Sequence, residues 1–225
     1  PILVSNLNTP HLITYAIQPL LKPEKLLDPG ATARNEKEDY SIFSTALRTV
    51  VINVSDNSSG PSLVLILLPY LLDVIQKYRS VDDIDILISL IERFGSSFTD
   101  DQVNKTEAGL IGILQNQTGL IQKRAIIALG KLTSYLQGDA YSNLLAFITK
   151  NCPAAGSGLP TQGTKNIIIL ASTVIKADSS KAKQYLHEIV PQLIATLHIE
   201  LLEDEYANES VDLAEVREAS LTALE

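Results

Sequence analysis

The sequence predicts an all-α fold, an α-solenoid of about five two-helix repeats over 225 residues. Three observations carry this. A helical pattern recurs about every forty residues. It is clearest at 121–132 (IQKRAIIALGKL) and returns at 216–224 (VREASLTAL), with looser copies at 40–51, 84–94 and 164–175. Anchored on Leu47, Leu90, Leu129, Leu170 and Leu224, the steps are 43, 39, 41 and 54 residues. Gly and Pro clusters at 58–61, 95–97, 137–138 and 153–163 separate the helical stretches. The β-branched runs at 50–52 and 167–169 lie inside helix-length segments with 3.6-residue spacing, so they read as buried helix and no strand is predicted.

A recurrence of roughly 40 to 47 residues with two helices per unit is the signature of HEAT and armadillo arrays. The first helices of the units are expected at 9–21, 62–78, 100–116, 139–150 and 181–202. Their starts carry Thr9, Ser62, Thr99 to Asp101 and Asp139, side chains that accept from the unpaired N–H groups of a first turn. The second helices are expected at 37–54, 82–94, 120–136, 164–176 and 213–224. The repeats then run 1–55, 61–98, 99–136, 138–177 and 181–225, in one body. In the third unit Ile121, Ala125, Ala128, Leu129, Leu132 and Leu136 form one apolar stripe, with Gln122, Lys123, Lys131 and Ser134 opposite. Ala125, Ala128 and Gly130 allow close approach of a neighbouring helix. Two connections, 22–38 and 202–212, are longer than the rest and are expected to bulge as loops.

Composition narrows the function. Apolar residues at 45% suffice for a continuous core. A net charge of −8 lacks the basic footprint that nucleic acid or an anionic membrane surface requires, and suits a basic protein partner instead. The charge concentrates at 200–218, with eight acidic residues against Arg217. The apolar run at 63–72 is short for a membrane span and is interrupted by Pro69. Cys152 is the only cysteine, which fits a reducing compartment, cytoplasm or nucleus. Sequons at Asn53, Asn57, Asn104, Asn116 and Asn208 read as chance matches in Ser/Thr-rich turns. The chain starts and stops inside the pattern and reads as a fragment of something longer.

Chemistry-bearing motifs fail on their details. Residues 158–165 imitate a phosphate-binding loop, but Thr164 precedes Lys165, the reverse of the order that places amine and hydroxyl on phosphate and magnesium. His187-Glu188 opens like a zinc-protease motif, but Pro191 stands where the second histidine belongs; His11 and His198 are isolated. Asp82, Asp83 and Asp85 lack the glycine and terminal glutamate of a calcium loop and read as acid at a helix start. Cys152 has no neighbouring base. No catalytic, metal or cofactor site is predicted, and no small-molecule substrate. Arg124 and Arg217 are expected to be structural.

Several segments, in order, resemble one family. Residues 121–132, the run ALRTVV at 46–51, YLHEIVPQL at 185–193 and the helix at 213–224 after an acidic turn are similar to the cullin-associated, neddylation-dissociated proteins. These are HEAT-repeat regulators of cullin–RING ubiquitin ligases. The resemblance spans 39–225 and corresponds to the N-terminal part of that solenoid. It implies a non-catalytic scaffold that grips an unneddylated cullin and its RING subunit and supports substrate-receptor exchange. The long connections suggest a fungal member, where the family can be split and a separate C-terminal polypeptide supplies the rest.

Two other readings remain. One is a nuclear transport receptor or phosphatase scaffold of the same architecture. The other is an enzyme with its site in the 153–163 loop. If the second helices line the binding face, the partner-contacting residues are expected to be Arg48, Arg93, Gln122, Lys123 and Lys131.

Overall fold

A computed structural model describes residues 17, 21, 33–54, 56–78, 80–116, 119–152, 162–197 and 207–224. Among them the chain is all-α, with helices packed on one another and no strand. The helices are α1 (Ala33–Asn53), α2 (Asp56–Tyr78), α3 (Val81–Phe94), α4 (Asp100–Asn116), α5 (Leu120–Leu132) and α6 (Gly138–Asn151). They continue with α7 (Gln162–Ala177), the short α8 (Ser179–Ala182), α9 (Leu186–Leu197) and α10 (Ala207–Leu224). Single 3₁₀ turns extend α3 (Gly95–Ser97) and α5 (Thr133–Tyr135), and one (Lys183–Tyr185) precedes α9. The chain divides into two compact units, Pro1–Ile113 and Leu114–Glu225, and the division falls within α4.

In the first unit α3 is the central element, packed against both α1 and α2. Its Ile84, Ile86, Leu87, Leu90 and Ile91 are all inaccessible, and burial around most of its circumference suits a helix flanked on two sides. Its N-terminus carries Asp82 and Asp83, favourable against the helix dipole. Asp83 is buried and accepts from Ser44 of α1 at 3.5 Å. Helix α4 opens on a reciprocal cap: Gln102 N–H donates to Thr99 Oγ1 at 3.3 Å, and Thr99 N–H to Gln102 Oε1 at 2.9 Å.

Helix α2 corrects the reading of residues 58–61 as a turn. The helix begins at Asp56 and contains both Pro61 and Pro69. Pro61, Leu65 and Pro69 share one exposed stripe, four residues apart. A proline there deprives a carbonyl of its helical donor, but Leu65 is 68% exposed and water can serve its carbonyl. Gly60 is a packing position rather than a breaker. A Cβ there would lie 2.5 Å from Phe94 Cδ1, so only glycine lets α2 close on that ring.

Pro69 therefore does not interrupt this helix, and the stretch Gly60–Lys77 is long and apolar enough to cross a membrane. Leu63, Val64, Leu67, Leu68, Leu71, Val74 and Ile75 are buried among protein side chains, which accounts for its composition as core.

In the second unit α7 is central, packed against α5, α6, α8 and α10. Ile168, Leu170, Ala171 and Val174 are inaccessible. The small residues of α5 act as expected at Gly130, where an added Cβ would overlap the methyl group of Thr173. Helix α10 corrects two expectations. It begins at Ala207, so half of the 202–212 connection is helical; α1 likewise begins at Ala33, inside the 22–38 connection. Leu224 is 37% exposed and is not the inward counterpart of Leu170; Val216 and Ser220 are. The Ser220 hydroxyl is satisfied by the Val216 carbonyl at 2.9 Å, so a serine occupies an inward place.

The remaining boundary differences are local. The expected caps Ser62 and Asp139 lie inside α2 and α6. Asp178 is the cap that was missed, its Oδ1 accepting from Lys181 N–H at 3.2 Å. The α-helical part of α5 ends at Leu132 rather than 136, and α9 continues through Pro191. Asn53, Asn104 and Asn208 sit in helices, not turns. The predicted helix at 9–21, except Ile17 and Leu21, lies outside the described residues, as do 22–32, 153–161 and 198–206.

Seven side-chain bonds between helices share a similar separation. They join Ser44 to Asp83, Arg93 to Val51, Ile52 and Val54, Gln122 to Asn166, Leu136 to Lys181, and Ser142 to Tyr185. These partners are 39 to 45 residues apart.

Candidate interaction surfaces

The five residues expected to contact a partner fall into two groups. Arg48, Lys123 and Lys131 are exposed. On α1, Arg48 lies in an outward stripe with Ile42 and Ile52, which are 65% and 50% exposed. On α5, Lys123 and Lys131 flank Ile127, with Leu120 one turn before; Ile127 and Leu120 are 40% and 56% exposed. Helix α5 thus presents an aliphatic side chain between two cations, and α1 a cation beside two exposed isoleucines. The sequence reading found the cations and missed the isoleucines, because a periodic apolar residue is ordinarily assigned to the core.

Arg93 and Gln122 are placed differently. Arg93 donates from Nη1 to the Val51 carbonyl at 2.7 Å and to that of Ile52, and from Nη2 to that of Val54 at 3.0 Å. These carbonyls end α1, where no helical N–H remains to serve them. The guanidinium therefore caps α1 from the last turn of α3, with favourable charge against the negative end of the dipole. Lys181 plays the same part in the second unit, donating to the Leu136 carbonyl at 3.1 Å while pairing with Asp178 at 2.9 Å. Hydrogen bonds from Lys181 and then Ser180 hold the Asp178 carboxyl down near 2.

Arg93→Ala should cost about 2 kcal/mol, since charged hydrogen bonds are worth roughly 1.5–3 kcal/mol and three carbonyls lose one donor. Arg93→Lys should recover only part of this, because an ammonium lacks the fork that spans several acceptors. Urea unfolding of the two variants measures it; a loss below about 0.5 kcal/mol for Arg93→Ala would mean the cap contributes nothing.

Gln122, expected on the polar side of α5, is buried. Its Nε2 donates to the Leu114 carbonyl at 2.8 Å, and its Oε1 accepts from Asn166 of α7. A polar residue in this interior needs a partner, and Asn166 supplies it from 44 positions along the chain.

The other motifs are also spoken for. The Lys165 amine is buried against the Glu215 carboxylate of α10, so it faces a side chain where the phosphate-loop comparison would need phosphate. Residues 158–161 of that motif, His11 and His198 lie outside the described residues. His187 is exposed, 3.5 Å from Glu188. Burial pushes the Cys152 thiol up to about 11, which disfavours the nucleophilic thiolate. Among the described residues no three His, Cys, Asp or Glu side chains converge on a point that could hold a metal ion.

Tyr141 and Tyr185 stand 6.3 Å apart at 58°, and Lys181 lies 5.8 Å from the Tyr141 ring. Burial, then Asp178 and Tyr185, push the Tyr141 phenol up to about 12. The Ser142–Tyr185 hydroxyl bond at 2.8 Å links α6 to the 3₁₀ turn before α9. Compared with known proteins, the chain matches no family model, no curated protein and no solved structure.

Proposed function

We propose that this chain is a non-catalytic protein-binding scaffold, a HEAT-type repeat array whose partner is an unneddylated cullin and its RING subunit. The observation that carries the scaffold reading is a separation shared by most of the inter-helix side-chain bonds, with Lys165–Glu215 and Gln122–Leu114 outside it. Seven bonds in the two units each link residues 39 to 45 apart, one repeat length, as stacked two-helix units require. The outward Ile and Lys/Arg positions of α1 and α5 supply what a protein interface uses: exposed apolar area with cations on the same helix. The cullin assignment rests on the ordered sequence resemblance over 39–225. On this reading the chain grips the scaffold in cytoplasm and nucleus, and receptor exchange needs a C-terminal part on the same or a separate polypeptide. The acidic stretch at 200–218 is what favours the second reading, a transport receptor or phosphatase scaffold holding basic cargo.

Titration of the chain with a purified cullin–RING scaffold, unmodified and neddylated, tests the assignment. Binding to the unmodified form, weakened at least tenfold by neddylation and again by Lys123→Glu with Lys131→Glu, is the expected result. Absence of binding to either form, with folding intact, removes the cullin assignment and leaves the helical architecture.

A further inference from the structure

The second unit contains a cavity of about 340 Å³ lined by four carboxamide side chains, Gln115, Gln122, Asn151 and Asn166, together with the Phe147 ring. Its position follows from the fold. Gln115 and Asn151 stand at the C-terminal ends of α4 and α6, and Gln122 and Asn166 in the early turns of α5 and α7. We propose that this cavity binds the neutral amide groups of an extended peptide segment from a partner protein.

The volume lies at the lower end of the range for ligand clefts, roughly 300–1,000 Å³. Among the described residues the lining carries no ionisable side chain. The adjacent cation, Lys165, is neutralised by Glu215. A charged ligand would therefore give up its hydration without a counter-charge, which is costly. A carboxamide offers an acceptor and two donors in one plane, the complement of a peptide group.

Two of the four are held in place. Gln122 spends one N–H on Leu114 and its oxygen on Asn166, and both side chains are more than nine-tenths buried. Gln115 and Asn151 are exposed at the rim, where Asn151 Nδ2 donates to the Phe147 carbonyl at 2.8 Å. The buried pair is a rigid floor, the rim pair is adaptable, and Phe147 adds an aromatic residue to the lining.

The arrangement does not depend on which protein the chain grips, so a failed cullin titration leaves it standing. Planar amides come from peptide backbone or from Asn and Gln side chains, and the two sources are separable. The 15N-labelled chain is titrated with two terminally blocked tripeptides, acetyl-Ala-Ala-Ala-N-methylamide and acetyl-Ala-Asn-Ala-N-methylamide, following the side-chain NH₂ signals of the four carboxamides. Saturable shifts in the millimolar range are expected, unchanged between about pH 6 and about pH 8 because carboxamides do not titrate.

Shifts with both peptides assign backbone as the source; shifts with the Asn peptide alone assign the side chain. Substituting Gln115→Leu with Asn151→Leu, at exposed positions that leave the floor intact, should weaken binding at least tenfold. The proposal is overturned if neither peptide moves these signals at about 20 mM, or if the rim variant, shown folded by its backbone spectrum, binds as well as the parent chain.

Discussion

Phe94→Ala should lower the stability of the first unit by about 3–5 kcal/mol, the range for truncating a buried aromatic. Phe94 ends α3 at 2% exposure and is the largest of the fully buried side chains among the described residues. Its ring fills the space against Gly60, and the Arg93 guanidinium lies 5.2 Å from the ring centroid. A domain has only about 5–15 kcal/mol to lose, so this single change should consume much of the total.

The contact makes a sharper prediction about sign. Gly60→Ala alone should destabilise, because its Cβ would meet Cδ1 at 2.5 Å and Cε1 at 2.9 Å. Helix propensity favours alanine by about 1 kcal/mol, but overpacking costs typically 1–3 kcal/mol, so overpacking wins. In the Phe94→Ala background the overlap is gone and the new methyl enters the vacated space. Gly60→Ala should then be neutral or stabilising. Urea unfolding of the four proteins in this cycle measures the coupling. A Gly60→Ala cost that persists without the ring would mean that the backbone, not Phe94, enforces glycine here.

The same pair shows what was legible in the sequence. Helix positions were readable wherever the apolar period was strong: α3, α4, α5 and α7 lie within a few residues of their predicted bounds. Residues 58–61 were misread because local chemistry describes the chain before it folds. Gly60 answers to a ring 34 positions away, and Pro61 and Pro69 are tolerated because they face water. Leu224 was assigned inward by its type, yet the inward face of α10 carries Ser220, whose hydroxyl is satisfied within its own helix.

The candidate surface was legible only in part for a related reason. Lys123 and Lys131 are exposed as their charge dictates. Arg93 and Gln122 look like surface residues until their partners, one repeat away, are known. Pattern identifies which residues are polar; only the fold identifies which polar residues already have partners.

Glu107→Gln should abolish a pH dependence of stability worth about 3 kcal/mol. Glu107 lies on the inward side of α4, 4% exposed, with neighbours Val103, Thr106 and Leu110 also buried. Its Oε1 has no hydrogen-bond partner among the described residues. Burial raises its pKa from the ordinary 4.5 to about 7. Between these values the native chain keeps a proton that the unfolded chain has released, so stability falls as pH rises through the interval and is level above about 7.

The glutamine variant has no proton to lose. It introduces a buried amide that costs about 1–3 kcal/mol if unsatisfied, but that cost is the same at every pH. The stability difference between variant and parent chain should therefore shift by about 3 kcal/mol in favour of glutamine between about pH 4.5 and about pH 8. All other titrating groups cancel in that difference. Urea unfolding at the two pH values measures it. A difference that does not change with pH would mean that Glu107 is ionised in the folded chain with a partner that stabilises its charge.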